Sequence, residues 1–362
     1  MKILIIQQKR IGDVLVSTVL CNNLRKKYPD ATIDYLVFDF TKEVALGNPN
    51  IDELILFDDA DRKAIPLFKF AWKIRRRNYD YIIDPYSKMD SWVISALSGV
   101  KNRFSFKKRY GIYTKGFPTR SAQIDESYGQ IIASRLNLIS ELVGEDFDYD
   151  YIPKIFLSAE EREKGTKLLK HLGVSIDQPI IMIGVLGSVE NKTYPVEQVK
   201  EVINELNRNF EGTILFNYYK DDADKAEKLY YALDRKDNVV WKSGGKSLRE
   251  LAQILSHVDL YIGNDCGHPH IAKSLSVPTF TFFAPQIDPD NWGILECMEK
   301  HNSTHLRDWE PDYKERYEKQ DLLEKNRELY EKMDAQDVIK KIQDHLRKNQ
   351  ILSETGLWDE DK

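Results

Sequence analysis

The sequence predicts an α/β fold made of two doubly wound parallel-sheet domains. Short apolar runs such as KILIIQ and ATIDYLV alternate with amphipathic stretches such as DVLVSTVLCNNLRKKY, and the same alternation restarts at PIIMIGVLG in the second half. Apolar runs of this length are typical of buried strands, and their alternation with helical stretches indicates right-handed βαβ units. A chain of 362 residues also exceeds what one hydrophobic core usually organises, so we expect two domains.

Changes in this pattern predict the domain boundaries. The segment GEDFDYDYIPK is acidic and aromatic, and Ser158 followed by Glu161 is the signature of a new helix start. We expect residues 1–150 to form a first Rossmann-like domain and residues 151–315 a second one. Residues 316–362 are predicted to form C-terminal helices and a polar tail.

Composition and charge exclude several classes of function. Hydrophobic residues make up 42% of the chain and charged residues 31%, a composition typical of a soluble globular protein. The net charge of -5 argues against a nucleic-acid partner, because binding to phosphate backbones needs a positive field. The three cysteines lack CxxC spacing, which argues against disulfides or zinc and favours a cytoplasmic location.

The sequence contains no apolar stretch near the roughly 20 residues that a spanning helix needs. We therefore expect any contact with the inner face of the cytoplasmic membrane to be peripheral.

The turn after the first predicted strand, QQKRIGDVLVST, carries the first candidate site. Gly12 permits a tight turn, and Asp13 follows at the start of a helix. There the carboxylate would either stabilise the first helical turn or act as a general base, and the local pattern favours neither interpretation. Lys9 and Arg10 would attract an anionic acceptor or simply be solvated.

The segment VDLYIGNDCGHPHIAKSL carries the second candidate site. Asp265, Cys266 and Gly267 connect a buried strand to a helix, where backbone N–H groups and the helix amino terminus suit a diphosphate. An ordinary strand-to-helix turn capped by Asp265 is the alternative. We expect His268 to be more exposed than His270, which could instead be a core histidine, and no metal triad is visible.

The segment LGSVENKTYPVEQV follows a predicted strand of the second half. Gly187 and Ser188 supply a loop with a hydroxyl group, and Lys192 supplies a cation suited to a diphosphate leaving group. A surface lysine before a helix is the alternative.

Two basic segments, KIRRR with Arg76 and KNRFSFKKRY with Lys108, would recognise an acidic acceptor or a phospholipid surface. Solvated helix and loop faces are the commoner explanation.

Because ligands of doubly wound sheets bind outside the carboxyl ends of the strands, we expect the ligand site in a cleft between the two domains.

Together these segments resemble glycosyltransferase family 9, the bacterial lipopolysaccharide heptosyltransferases. The stretch IGDVLVSTVLCNNLRKKYPDATIDYLV with NPNIDELILF is similar to the amino-terminal signature of the family, and SLRELAQILSHVDLYIGNDCGHPHIAKSLSVPTFTFFAP is similar to the carboxy-terminal one. The resemblance runs from Met1 to about Trp292. It implies the GT-B fold, in which two Rossmann-like domains face each other across a cleft, the first binding mainly the acceptor and the second mainly the nucleotide sugar.

The resemblance also implies roles for particular residues. Asp13 matches the proposed base, Lys192 the lysine near the donor phosphates, residues 265–267 the donor-holding loop, and His270 a histidine of the following helix. Cys266 departs from the pattern, since a Thr or Ser hydroxyl is usual there, and this puts one phosphate contact in doubt.

Two further departures concern His268, where Pro is common, and the Lys9–Arg10 pair, where small hydroxyl residues often occur. The second departure could signal a different acceptor.

The function implied is inverting transfer of a heptose or related sugar, with ADP-heptose favoured as donor, to the lipopolysaccharide inner core. The acceptor would be an anionic, lipid-linked saccharide of the Kdo-lipid A type, and no cofactor is expected. The alternatives are a nucleotide-sugar epimerase of the same layout and a non-catalytic nucleotide-sugar-binding protein. A nicotinamide oxidoreductase is disfavoured because the first turn lacks GxGxxG.

Overall fold

The computed structural model describes residues 1–106, 124–144 and 146–351. The chain divides into two compact units, Met1–Phe156 and Leu157–Lys362. Each unit contains one sheet, and every strand pair in both sheets is parallel. The predicted fold class of two parallel-sheet α/β domains is therefore confirmed.

The sheet of the first unit has five strands. They are β1 (Lys2–Ile6), β2 (Thr32–Phe38), β3 (Glu53–Phe57), β4 (Tyr81–Asp84) and β5 (Asn102–Ser105). Their order is β3-β2-β1-β4-β5, so the chain first moves to one side of β1 and later returns on the other side with β4. The topological switch point, where ligands of such sheets bind, lies between β1 and β4.

Helices cover both faces of this sheet. They are α1 (Ile11–Val16), α2 (Thr18–Lys27), α3 (Ala64–Arg75), α4 (Met89–Leu97), α5 (Gln130–Asn137) and α6 (Ser140–Val143). Because β1 is the central strand and is covered on both faces, residues 3–6 are fully buried, which explains the uninterrupted apolar run ILII. Helix α3 packs on the core through residues spaced as one helical face: Leu67, Phe70, Ala71 and Ile74.

The sheet of the second unit has six strands. They are β6 (Ile180–Gly184), β7 (Thr213–Asn217), β8 (Val239–Val240), β9 (Leu260–Asn264), β10 (Thr279–Phe282) and β11 (His301–Thr304). Their order is β11-β10-β9-β6-β7-β8, which places the switch point of this sheet between β6 and β9.

Ten helices are described in the second unit. They are α7 (Ala159–His171), α8 (Val196–Asn209), α9 (Ala223–Tyr231), α10 (Leu248–Leu255), α11 (Gly267–Ser274), α12 (Pro289–Trp292), α13 (Tyr313–Arg316), α14 (Lys319–Glu324), α15 (Asn326–Glu331) and α16 (Ala335–Lys348). The predicted helix start at Ser158 is confirmed, because the Glu161 N–H donates to Ser158 Oγ and the Ser158 N–H donates to the Glu161 carboxylate. Helix α16 belongs to the core of this unit, with Val338, Ile342 and Leu346 buried.

None of the helices in the described ranges combines the length and the apolar composition needed to cross a membrane.

Five buried histidines of the second unit make its stability sensitive to acid. Burial lowers the pKa of His268, His305 and His345 to about 4, that of His270 to about 3, and that of His301 to about 2. Below pH 6.5 the unfolded chain binds protons at these positions before the folded chain does. The free energy of unfolding should therefore fall as the pH drops from 6.5 toward 4, by up to about 1.4 kcal/mol per pH unit for each histidine.

The test compares urea unfolding midpoints at pH 7.5 and pH 5.0. Replacement of buried His345 by Leu should weaken this pH dependence, whereas replacement of exposed His171 by Asn should leave it unchanged. Burial raises the pKa of Asp34 and Asp265, so these two carboxyls act in the opposite direction and only reduce the effect. Equal midpoints at the two pH values would contradict the prediction.

Candidate active site

Asp13 lies beside the switch point of the first sheet, as the third residue of α1, which follows β1 directly. Its Oδ2 accepts a hydrogen bond of 3.2 Å from the Arg10 N–H, so the predicted stabilisation of the first helical turn is present. Gly12 is itself a buried residue of this helix, and our expectation of a tight turn at Gly12 is wrong.

A buried arginine holds the other oxygen of the Asp13 carboxylate. Nη2 of Arg135, on α5, donates to Asp13 Oδ1 at 3.0 Å, while Nε of the same guanidinium donates to Ser17 Oγ at 3.1 Å. Arg135 is 5% exposed, and burial lowers the pKa of its guanidinium, which Asp13 opposes. The Asp13 side chain keeps 24% of its surface exposed, so the carboxylate is oriented and still accessible.

Arg135, which is separated from Asp13 by 122 residues, was not among the residues predicted from the sequence. The available signal was its position in QIIASRLN, where Ile132 and Leu136 form an apolar helix face next to a single arginine. A cation on such a face needs a buried partner, and this requirement points to an anion elsewhere in the chain.

The other predicted acceptor residues lie in different places. Lys9 Nζ lies 3.3 Å from Asp59 Oδ1 and 4.1 Å from the centre of the Phe38 ring, close to the carboxyl end of β2. Arg76 follows α3 and lines a pocket with Lys2 and Thr32, the first residues of β1 and β2. Arg76 therefore lies at the amino edge of the sheet, opposite the edge that carries Asp13, and Lys108 lies outside the described residues.

The second unit brings two predicted loops together at its switch point. Lys192, in the segment after β6, forms an ion pair of 2.9 Å with Asp265, which follows β9 directly. Asp265 is 4% exposed, and burial raises the pKa of its carboxyl, which Lys192 opposes. The ion pair fixes the ammonium group of Lys192 at the carboxyl edge of the sheet, the edge where ligands of doubly wound sheets bind.

Gly187 is required by a close approach of the backbone. A Cβ atom at this position would lie 2.4 Å from the Lys192 carbonyl oxygen, and the Gly187 N–H donates to Thr193 Oγ1 at 3.0 Å. The loop from residue 187 to residue 193 is therefore folded back on itself, and Ser188 within it is exposed.

Asn264 connects the two loops and was not singled out from the sequence. Its Oδ1 accepts a hydrogen bond of 2.6 Å from the Tyr194 N–H, and its Nδ2 donates to the Gly184 carbonyl at 3.1 Å. The strand ends of β6 and β9 are thereby tied to the segment that carries Lys192.

Helix α11 begins at Gly267, with half-buried Cys266 as its N-cap residue. Burial raises the pKa of the Cys266 thiol to about 11, so the thiol is neutral near pH 7. The Tyr219 hydroxyl, in the segment after β7, interacts with the thiol and opposes this rise of its pKa. Tyr219 is a further contact that the sequence did not indicate.

Both histidines of α11 are buried, and our expectation that His268 would be exposed is wrong. His268 is 5% exposed because its Nδ1 lies 2.9 Å from Asn217 Nδ2 and its ring packs against Tyr219. His270 is 4% exposed, its ring centre lies 6.0 Å from that of Trp292, and its Nδ1 has no hydrogen-bond partner among the described residues.

Across the described ranges, no group of three or more His, Cys, Asp or Glu side chains is arranged to hold a metal ion.

Comparison with solved structures identifies the class of fold. A glycosyltransferase family 9 protein from Veillonella parvula superposes with a TM-score of 0.78 over 96% of this chain and 97% of that one, at 21% identity. The ADP-heptose lipopolysaccharide heptosyltransferase II of E. coli superposes with a TM-score of 0.71 over 97% of this chain and 100% of that one, at 17% identity. The protein has the GT-B fold.

Sequence comparison identifies the family. The model of glycosyltransferase family 9 (heptosyltransferase) matches residues 67–325, more than half of the chain. Lipopolysaccharide heptosyltransferase 1 of Campylobacter coli is 27% identical over 295 residues, which cover 78% of this chain and 84% of that protein. The chain belongs to glycosyltransferase family 9 and is a glycosyltransferase, which confirms the family predicted from its two signature segments.

Proposed function

We propose that the protein transfers a heptose from ADP-heptose to the lipopolysaccharide inner core, with inversion at the anomeric carbon. One observation carries this proposal: each sheet presents charged side chains of a predicted reactive loop at its switch point, Asp13 in the first unit and Lys192 in the second. The relatives support the choice of sugar, since the similar proteins are named as lipopolysaccharide heptosyltransferases.

The second unit would bind the donor diphosphate. Lys192 supplies a cation, Asp265 orients it, and the N–H groups at the start of α11 add donors at the positive end of a helix. Neutral Cys266 adds no negative charge to this site. These groups stabilise the diphosphate as it leaves, without a metal ion.

The first unit would supply the base. Asp13 accepts the proton of an acceptor hydroxyl while the oxygen of that hydroxyl forms a bond to the anomeric carbon of the donor sugar. The bond between this carbon and the diphosphate oxygen breaks in the same step, and ADP leaves with the electron pair. Arg135 is a positioning residue, since it touches Asp13 and holds its carboxylate oxygen.

The acceptor in this proposal is an anionic, lipid-linked saccharide of the Kdo-lipid A type at the cytoplasmic face of the inner membrane. Lys9 lies near the Asp13 edge of the sheet and carries the compensating positive charge. We propose that Arg10, which precedes Asp13 by three residues and donates its backbone N–H to the Asp13 carboxylate, contributes to the same acceptor site.

The test is an incubation of the protein with ADP-heptose and heptose-free Kdo-lipid A, followed by mass spectrometry of the lipid. We expect a mass gain of one heptose and release of one ADP, with UDP-glucose as control donor giving no product. The donor is also incubated alone, because an epimerase would convert it without acceptor. Conversion of the donor sugar alone, or donor binding without any product, would contradict the proposal.

A further inference from the structure

Helix α3 exposes large apolar side chains on the face directed away from the core. Ile65, Phe68 and Trp72 are 70%, 58% and 56% exposed, and their spacing of three and four residues places them in one row. The opposite face of the helix carries the buried residues Leu67 and Ile74. Surface helices normally direct polar side chains outward, so this row, the α3 ridge, is a candidate contact surface.

Lysines lie beside the α3 ridge along the helix, whereas the acidic residues Asp58, Asp59 and Asp61 precede the helix. Lys63, Lys69 and Lys73 are exposed and form no ion pair with any described residue. Lys69 follows Ile65 by four residues and Lys73 follows Trp72 directly, so these ammonium groups flank the apolar row. The chain from residue 62 to residue 78 contains seven Lys or Arg residues and no acidic residue. An apolar row flanked by lysines matches the interface of an anionic bilayer, where side chains reach the acyl boundary and ammonium groups contact phosphates.

The amino ends of α3 and α4 lie at the edge of the first sheet that also carries Asp13. Nε of Arg62, just before α3, lies 3.2 Å from Oδ2 of Asp90 in α4. Met89, which precedes Asp90 in the chain, is 71% exposed. Asp59 contacts both Arg62 and Lys9, which follows β1. A surface bound through α3 would therefore lie next to the carboxyl edge of the sheet.

We propose that the α3 ridge docks the first unit onto an anionic phospholipid bilayer. Docking would hold the carboxyl edge of the first sheet at the depth of the lipid headgroups, where the sugars of a lipid-linked acceptor are found. This consequence rests on the proposed function, whereas the docking itself does not require it. A soluble partner is a poorer match, because the ridge combines exposed aromatic side chains with unpaired lysines and no acidic residue.

The test is co-sedimentation of the full chain with vesicles of phosphatidylcholine alone or mixed with phosphatidylglycerol, without donor or acceptor. We expect binding to the anionic vesicles only. Phe68→Ser/Trp72→Ser should lower the partition coefficient by about tenfold or more, and Lys69→Gln/Lys73→Gln by about fivefold for each charge removed. The matched control is Ile176→Ser/Tyr231→Ser, which removes two exposed apolar side chains from the second unit and should bind like the wild type.

A second readout locates the contact. Brominated acyl chains should quench the fluorescence of the bound wild type more than that of Trp72→Phe, although both bind. Unchanged sedimentation of Phe68→Ser/Trp72→Ser would overturn the proposal, as would a dimer that these substitutions dissociate, because the ridge would then bind a second copy of the chain.

Transfer to a deacylated, soluble acceptor separates the two proposals. Phe68→Ser/Trp72→Ser should retain this transfer at the wild-type rate while losing vesicle binding. Vesicle binding through the ridge without any transfer would support docking and contradict the proposed function.

Discussion

Replacing Asp13 with Asn should lower turnover by about 100-fold or more and leave ADP affinity unchanged. The amide cannot take a proton from the acceptor hydroxyl, but its oxygen can still accept the hydrogen bond from Arg135. Nucleotide affinity should persist because the proposed phosphate-binding groups belong to the second unit. Turnover is measured by ADP release, and affinity by calorimetry.

Asp39→Asn is the matched control, because Asp39 is an exposed carboxylate that follows β2 and contacts Lys42. It should retain full turnover. Asp13→Asn should unfold at a lower temperature than the wild type, because the buried guanidinium of Arg135 loses its counter-charge. Turnover is therefore compared at a temperature at which both proteins are fully folded, which separates lost chemistry from lost structure. Wild-type turnover in Asp13→Asn would remove Asp13 as the base. A second readout is the dependence of turnover on pH. The loss of turnover at low pH should be absent from the residual activity of Asp13→Asn.

Replacing Lys192 with Ala should weaken ADP binding by about 10- to 100-fold, the effect expected for loss of one charged hydrogen bond to phosphate. The effect should exceed that of a surface lysine because Asp265 loses its cation at the same time. Burial already raises the pKa of Asp265, and without Lys192 that pKa should rise further. Calorimetric titration with ADP measures the change.

Lys164→Ala is the control, since Lys164 is an exposed lysine of α7 paired with Glu160. Its ADP affinity should equal that of the wild type. Asp265→Asn removes the negative charge beside Lys192, but its amide oxygen can still accept a hydrogen bond from the ammonium group. This variant therefore separates the orienting effect of Asp265 on Lys192 from the effect of the charge of Asp265. An unchanged dissociation constant in Lys192→Ala would exclude this lysine from the donor site.

Local pattern predicted the elements and the loops but not the contacts between them. The apolar run of β1 and the amphipathic helix after it were sufficient to predict a βαβ unit and to place Asp13 in the first helical turn. The loops carrying Lys192 and Asp265 were each predicted to be reactive, yet their ion pair depends on the pairing of β6 with β9. Such a pairing joins segments about 80 residues apart, and no local pattern specifies it.

The wrong prediction about His268 concerns a long-range contact, unlike the local error at Gly12. Exposure of His268 was judged from its early position in a short helix, but Asn217 and Tyr219 from another strand end cover it. The position of Arg76 also depends on the tertiary structure, because the direction of α3 carries it to the amino edge of the sheet, and its role in acceptor binding stays a prediction. Charge and position in the chain do not determine which edge of a sheet a side chain reaches.

The contact between Arg135 and Asp13 makes the carboxylate of the proposed base dependent on a helix far away in the chain. Ile132 and Leu136 anchor α5 in the core, and neither side chain is accessible to a substrate. Trimming either one would loosen the guanidinium and let the carboxylate rotate away from its working orientation. A natural substitution in the buried face of α5 can therefore abolish sugar transfer. Its kinetic effect would resemble that of a substitution at Asp13 itself, although its cause is altered packing.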